Sequence, residues 1–580
     1  MSANQKHQYV GGNFPRPDAL DKVTGEAVYV DDMAMPGMLF GRFVSSPHAA
    51  ARIVSVDTSR AAALTGVRSI ITGEELDYRL GLYMSDKRVL AKGFVRYQGD
   101  PVAAVAADTE AIAADACNMI NIEYEPLPAV LDPADGLADD APLVHPNLHK
   151  YSYMKGVFHP VPHSNIAHHQ KIYRGDVEQG FEQADRVFES SFQNPPVPHV
   201  PLETHAVIAK ALSRNRMDII TAAQSPFTVR NIMAVSFGLP HNNVRVRIPC
   251  VGGGFGGKAG IHLEPMAYLL SKLAGGRPVK VVATREEEFN TLPSRQGLKT
   301  TLKTGINKDG KIVALKARYL WDAGACADYG VNIGRAAATG SAGPYYVPNC
   351  HIDSLVIYTN KVFGTAYRGF GHLEVLWGIE RNMDIMAHAL GIDPYELRMR
   401  NFLRPGDTTI TGEPFTENHG RPDLCLQTVA EAIGYADRPQ DHNPPAEVPT
   451  GKVRGFGVAA LHKAPAMPVF TSCSCIIKFN EDASVNVLVS GVDYGQGTYT
   501  ALAGIAATEL SIPVDKVHVT FDQDTATQPY DWQTVASRFA FMGGNAVIDA
   551  AQDCLRQLKE MAGQVLHARP EDLVCEDELV

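Results

Sequence analysis

The sequence predicts an α+β protein built as several units, and three observations carry that prediction. Short apolar runs separated by turns fill the first 135 residues, strand-then-helix alternation fills the middle, and the same alternation returns after a polar break near residue 440. At 580 residues the chain exceeds what one core buries, and ~150 residues per domain would give about four. The units expected are 16–135, a linker at 136–170, a unit at 171–440 and a last one at 450–580.

The elements follow in order. "EAVYVDDM", "MLFGRFVSS", "ARIVSVD" and "VRSIITGEEL" read as strands, and "DTEAIAADACNMINIEYE" as a helix feeding a strand. Residues 134–170 are rich in Pro, His and Asp and read as a solvated linker or wrapping loop. They carry His145, His149, His159, His163, His168 and His169, whose spacing matches no metal-ligand rule. "NNVRVRIPCV" is a strand, "IHLEPMAYLLSKLAGG" a helix ended by glycines, and "RPVKVVATREEE" a further strand. A long helix with Val375, Ile379, Met386 and Leu390 along one face closes at Gly391. The next opens at "DPYELR", with Asp393 as N-cap, Pro394 in the first turn and Glu396 completing a capping box. "DHNPPAEVPTGK" marks a boundary, and "SVNVLVSGVDYGQGTYTALAGIAATEL" is strand, glycine turn and helix. "VHVTFDQDT" and "GGNAVIDAAQDCLRQLKEMAG" repeat the theme, and the sequence stops at "CEDELV" in strand-like residues, so the last unit is expected to be truncated or split.

Composition narrows the classes. A formal charge of −11 speaks against a large nucleic-acid footprint. Nine dispersed cysteines fit a reduced compartment, and without a C-x-x-C the chain lacks iron–sulfur ligation of its own. Cys473 and Cys475 alternate as same-face strand residues. The N-terminus has no apolar leader, and no run of 18 apolar residues occurs, which predicts a cytoplasmic protein.

One stretch demands a function. In "PCVGGGFGGKAG", Gly252, Gly254 and Gly257 spell a dinucleotide fingerprint, and Gly252 to Lys258 spell a phosphate loop until Ala259 replaces the hydroxyl that would hold magnesium. Glu286, the candidate ribose partner, comes later than the ~20 residues that fingerprint prefers. Similar loops recur at "AYRGFGH", "DYGQGTY" and "FMGGNA", each able to offer backbone N–H groups to an anion. Four such loops suggest one extended anionic cofactor, with Arg368 as a planar donor to it.

Together "VGGGFGGK", "AYRGFG" and "GVDYGQGT" resemble the molybdopterin-binding subunit of the xanthine dehydrogenase and aldehyde oxidase family of molybdenum hydroxylases. "VRYQGDPVAAVAA", "NIEYEPLPAVLDP", "TREEEF" and "GIERNMDIMAHALGIDPYELRMRNFLRPGD" extend the resemblance over most of the chain. It implies an N-terminal α/β hammerhead-like domain followed by elongated, two-lobed molybdopterin-binding domains. It implies a molybdenum–molybdopterin cofactor, with the cytosine dinucleotide form expected and the metal held by the pterin dithiolene rather than by protein ligands. Iron–sulfur clusters and FAD would sit on partner subunits.

By motif, Gln224 resembles the glutamine facing the metal's oxo group, and Gly254, Phe255 and Gly256 the loop beside it. Arg368, then Gly495, Gln496 and Gly497, then Ala536, Ser537 and Arg538 resemble pterin or dinucleotide contacts, and Phe370 an aromatic against a flat substrate. The family hydroxylates an electron-poor carbon with water as oxygen source, using a glutamate base in a Gly-Glu loop. That glutamate is expected beyond Val580 or on a further chain completing the last domain, Glu413 in "TGEPF" being a decoy in a solvated turn. Ala259 stands where purine-oxidising relatives carry a glutamate, and Arg335 is the candidate for their substrate arginine. The "YRGFG" loop lacks the cysteine of carbon monoxide dehydrogenases, and His372 after it belongs to the surroundings of the site rather than to its chemistry. A heteroaromatic or aldehyde hydroxylase is thus expected. A nicotinamide-dependent dehydrogenase using residues 252–257 and a non-catalytic remnant remain as alternatives.

Overall fold

The computed structural model describes residues 8–438, 455–463, 471–575 and 579. An eight-stranded mixed sheet runs through the whole sequence, in the order Gln523–Asp524, Val244–Ile248, Arg216–Thr221, Ala206–Leu212, Val279–Val282, Leu39–Ser45, Pro101–Ala107 and Val67–Thr72. Leu39–Ser45 pairs in parallel with Val279–Val282, and Gly41 lets them close, since a Cβ there would lie 2.6 Å from Val281 Cγ2. Gln523–Asp524 adds antiparallel to the other edge, pairing Asp524 with Arg247. Early, middle and late segments therefore share one hydrogen-bonded scaffold.

A five-stranded sheet runs Arg186–Asn194, Gly297–Ile306, Ile312–Gly324, Cys350–Tyr358 and Ile166–Arg174. Helices Gly330–Thr339 and His372–Leu390 pack on it around buried Trp321 and Tyr319. Val375, Ile379 and Met386 point inward as the helical period requires. The last unit is a three-stranded sheet, Ile476–Phe479, Val485–Leu488 and Val517–Val519, backed by helices Thr498–Leu510 and Arg538–Leu566. Cys473 and Cys475 both pack against that core. Among the described residues no helix is long and apolar enough to cross a membrane.

Several expectations need correction. "EAVYVDDM" forms turns rather than a strand, because Asp32 turns its carboxylate back onto the Tyr29 N–H. The 134–170 stretch is not a solvated loop. His145 is buried within hydrogen-bond distance of the Ala325 carbonyl (2.7 Å) and Tyr151 Oη (2.9 Å), buried Asn165 donates to the Gly136 and Pro142 carbonyls, and His168 lies in a strand that begins at Ile166. "FMGGNA" is not a loop but lies inside helix Arg538–Leu566, where Gly543 leaves room for the Phe539 ring. The "TREEEF" residues form a short helix, Arg285–Asn290, started by a Thr284–Glu287 capping box. At Pro394–Asn401, Asp393 does cap the Tyr395 and Glu396 N–H groups, but no reciprocal bond from Glu396 forms, and the other Asp393 oxygen takes the Arg438 guanidinium. The "DHNPPAEVPTGK" boundary and most of "CEDELV" lie outside the described residues.

That helix also carries a fully buried cation. Arg398 donates through Nε to Glu380 Oε2 (2.8 Å), pairs with Asp384 (2.9 Å) and donates to the Pro394 carbonyl (3.1 Å). Removing one partner of such a pair strands the other charge without water. Arg398→Ala is therefore expected to cost about 3–5 kcal/mol in urea unfolding, and a loss below about 1 kcal/mol would contradict the pairing.

Candidate functional site

The site is built from loops that the two large sheets and the last unit bring to one place. Strand Val244–Ile248 delivers the glycine loop, and the next helix begins only at Glu264. The glycines therefore do not open a helix, as a dinucleotide fingerprint requires, and the nicotinamide reading loses its phosphate site. Each glycine instead abuts another segment. A Cβ on Gly252 would lie 2.5 Å from Glu203 Cβ, on Gly254 2.6 Å from Gln224 Oε1, on Gly256 2.4 Å from the Ala366 carbonyl oxygen, and on Gly257 2.9 Å from His199 Cγ. Gly256 further takes φ +106°, a conformation that excludes side chains.

Gln224, buried just before helix Pro226–Phe237, is fixed by the glycine loop. The Gly256 N–H donates to its Oε1 (2.8 Å), so its NH2 group faces the other way. Tyr494 lies close enough to the Gln224 side chain to be influenced by it, and its hydroxyl donates to the Thr534 carbonyl (2.9 Å). Burial pushes the Tyr494 phenol up to about 12, keeping it a donor. Ser225 and Thr228 donate to the Trp532 carbonyl at 2.7 and 2.9 Å. The "AAQSP", "DYGQG" and "ASRF" segments are thereby locked together.

The "YRGFG" loop lies against the glycine loop, with the Arg368 N–H donating to the Phe255 carbonyl (2.8 Å). Phe255 and Phe370 both adopt left-handed backbone, at φ +52° and +53°, and neither ring is buried. Non-glycine residues rarely sit there, and such strain gathers at functional positions. The Arg368 side chain is exposed and close enough to Tyr494 to influence its phenol. His372 lies 3.3 Å from the Phe370 carbonyl through Nδ1, and so supports this loop from behind.

Beneath the loop lies a buried polar floor that the sequence did not reveal. His205 Nε2 and His262 Nε2 approach the Gly257 carbonyl at 3.1 and 3.0 Å, and His199 Nε2 the Ala366 carbonyl at 2.7 Å. Glu288 faces His205 Nδ1 (2.8 Å); burial pushes its carboxyl up, but His205 and Lys258 outweigh that and hold it at about 2. Lys258 Nζ donates to Glu203 Oε2 (2.9 Å), which also accepts the Gly252 N–H (2.7 Å). Only sequence separation hid these partners, since Glu203 and Glu288 lie far from the glycines they serve.

Burial holds several histidines neutral, His199 and His372 at about 4 and His168 at about 3 against an ordinary 6.5. Their folded values lie below the unfolded one, so the stability they give is present above pH 6.5 and lost as pH falls toward 4. The melting temperature should drop as pH falls from about 6.5 to 4, each histidine contributing about 1.4 kcal/mol per pH unit within that window. A flat profile would refute the neutral assignment.

Not every expected residue meets the site. In "DYGQG", the Gly495 and Gly497 N–H groups do not form an open anion nest, because Asp493 Oδ1 takes them at 2.8 and 3.4 Å. Gln496 folds its amide back onto the Val492 carbonyl (3.0 Å) and Thr498 Oγ1 (2.7 Å). Arg538 turns inward to Asp531 (2.7 Å) and the Gln533 carbonyl (2.9 Å), bracing the loop instead of presenting its guanidinium. Ala536 and Ser537 just before it are exposed and left-handed at φ +53° and +60°, at the N-terminus of the long helix, where an anion is favoured. Arg335 donates to Asn332 Oδ1 (3.2 Å) and influences His168, whereas Ile333 and Ala337 of its helix meet Gly371. Two residues along a helix turn about 200°, so Arg335 points away from the Phe370 loop. Ala259 is buried beside Tyr329, whose hydroxyl donates to its carbonyl (3.2 Å). Glu413 sits in an exposed turn beside His419.

The arrangement fits a flat anionic cofactor. A glycine cradle without room for a Cβ, a fixed amide, an exposed arginine and a helix N-terminus face one region. The comparisons name the class. Residues 24–128 match the aldehyde oxidase and xanthine dehydrogenase a/b hammerhead domain, and residues 158–402 and 428–580 match two molybdopterin cofactor-binding domain families. The xanthine dehydrogenase molybdenum-binding subunit of Escherichia coli O157:H7 is 31% identical over 570 residues, covering 95% of this chain and 73% of the relative. The carbon monoxide dehydrogenase large chain of Afipia carboxidovorans is 30% identical over 606 residues, covering 98% and 73%. The structure of quinoline 2-oxidoreductase from Pseudomonas putida 86 superposes with a TM-score of 0.87 at 29% identity, covering 99% of this chain and 74% of that one. Fold and site thus define a molybdenum-cofactor subunit of an oxidoreductase. The chain belongs to the molybdopterin-binding large subunits of the xanthine dehydrogenase and aldehyde oxidase family.

Proposed function

We propose that the chain is the catalytic, molybdenum-binding subunit of a hydroxylase acting on an N-heteroaromatic ring or an aldehyde. Water supplies the oxygen, and electrons pass to iron–sulfur and FAD subunits. The carrying observation is the Gln224 amide, held by the Gly256 N–H over a loop that excludes side chains. When bound, the cofactor supplies the two-electron oxidation. The chain's part is to hold it with the Gly254–Gly256 backbone, Arg368 and the Ala536–Ser537 amides, and to aim the Gln224 donor at it. Phe255 and Phe370, on loops joined by a backbone hydrogen bond, would wall a flat substrate. A methyl group at Ala259 and the outward turn of Arg335 leave no partner for a polar purine, which favours a less polar ring.

Four carboxylates around the site are each held through at least one oxygen: Glu203 by Lys258, Glu288 by His205, Asp493 by the 495–497 amides and Asp531 by Arg538. A base must be free to take a proton, so the general base is assigned to polypeptide other than these residues. Metal analysis and pterin fluorescence of the purified protein test the reading. Molybdenum near one atom per chain, with CMP released on hydrolysis, supports it and the cytosine dinucleotide form; a molybdenum-free protein that binds NAD overturns it. A panel of pyridines, quinolines, purines and aldehydes with an artificial electron acceptor then fixes the substrate, and co-purification identifies the partners.

A further inference from the structure

The residues that precede the hammerhead reach the last unit. The Tyr9 N–H donates to Thr508 Oγ1 (3.1 Å), and its hydroxyl accepts the Val514 N–H (3.2 Å). Phe14 rests on helix Thr498–Leu510 at Gly504, where a Cβ would come within 2.9 Å of its ring. Arg16 follows. Its Nη1 donates to the Gly495 carbonyl (3.1 Å) and its Nη2 lies 3.7 Å from Asp493 Oδ1, while Asp18 holds Nε and Nη2 at 3.0 and 2.9 Å.

Asp493 is the carboxylate that closes the loop, since it takes the Gly495, Gly497 and Tyr499 N–H groups. Arg16 therefore binds the loop on both its carbonyl and its carboxylate. A glycine-rich loop with φ +117° at Gly495 and +85° at Gly497 has little backbone preference of its own, so side-chain contacts, those of Asp493 within it and of Arg16 from outside, hold it. Tyr494, whose phenol lies near the Gln224 side chain and donates to the Thr534 carbonyl, sits between Asp493 and Gly495.

We propose that Arg16 is a positioning residue for the Asp493–Gly497 loop, carried there by an arm that Tyr9 and Phe14 anchor on helix Thr498–Leu510. Through Tyr494 it sets the Gln224 amide, and so the cofactor site, a role that rests on the function proposed above. Asp18 pre-organises the guanidinium, so its planar fork meets the loop already oriented. The arm thus ties the start of the chain to a loop of its last unit.

Hydrogen exchange of the full-length protein, with Arg16→Ala, Phe14→Ala and Arg16→Lys variants, tests this. Arg16→Ala and Phe14→Ala should speed exchange in the 493–499 peptide about tenfold, with the Val244–Ile248 strand unchanged. Both should also release pterin faster during dialysis, and Arg16→Lys should restore exchange only in part, lacking the fork. Unchanged exchange in both alanine variants overturns the proposal, as does faster exchange with pterin retention at the wild-type level. A wild-type protein without molybdenum would overturn the function reading alone, and the exchange comparison would still decide the role of Arg16.

Discussion

Gly256→Ala is expected to strip the protein of molybdenum and pterin while the five-stranded sheet stays folded. The added Cβ would sit 2.4 Å from the Ala366 carbonyl oxygen, a backbone atom that His199 also holds at 2.7 Å. Neither side can yield cheaply. Left-handed strain at φ +106° adds to the clash, and strain of this kind costs about 1–3 kcal/mol before any collision is counted. The loop must move, and with it the Gly256 N–H that fixes Gln224. Cofactor content close to background, with near-native circular dichroism, is the expected result. Wild-type molybdenum content in this variant would show that the glycine is not needed for a close approach.

The second large effect is kinetic. Gln224→Ala removes an amide held in place before any substrate arrives, and loss of one pre-organised donor lowers kcat by about 10²–10³. It also leaves the Gly256 N–H without its acceptor, a destabilisation of about 1–3 kcal/mol. Molybdenum content should therefore fall less than activity, which separates this variant from Gly256→Ala. Gln224→Glu keeps the acceptor for Gly256 but loses the donor, so it should recover stability and not rate. Recovery of both would mean that the oxygen alone matters.

The two variants separate two uses of the same loop. In the proposed function Gly256 makes room and Gln224 supplies a directed hydrogen, and the Gly256 N–H, by binding Oε1, sets which end of the amide is left to do so. The expected contacts at Gln496 and Arg538 are different. Their side chains are spent on the Val492 carbonyl, Thr498, Asp531 and the Gln533 carbonyl, so they support loops from within. Variants at these positions should act first on loop order.

Much of this was legible in the residues. Apolar periodicity marked the helix His372–Leu390 and the strands Leu39–Ser45 and Val279–Val282, because burial of one face repeats at a fixed spacing. Glycine density at 252–257, with Arg368, Gln224 and the "DYGQG" turn, marked the cofactor loops and the family. Local rules failed where a side chain had a stronger partner elsewhere. Asn165 and His145 found buried partners, which drew a polar stretch inward.

By itself the sequence determined the secondary structure with strong periodicity, the family, and the glycine loop that closes on Gln224. Only the tertiary structure decided that Arg335 turns away, that Asp493 fills its own nest, that Glu203, His205 and Glu288 lie under the glycine loop, and that Arg16 reaches Gly495. Arg335 and Asp493 took local partners, Asn332 and Gly495, whereas the last two share one physical reason. Hydrogen bonds and ion pairs form between whichever groups folding brings within about 3 Å, and separation along the chain places no limit on them.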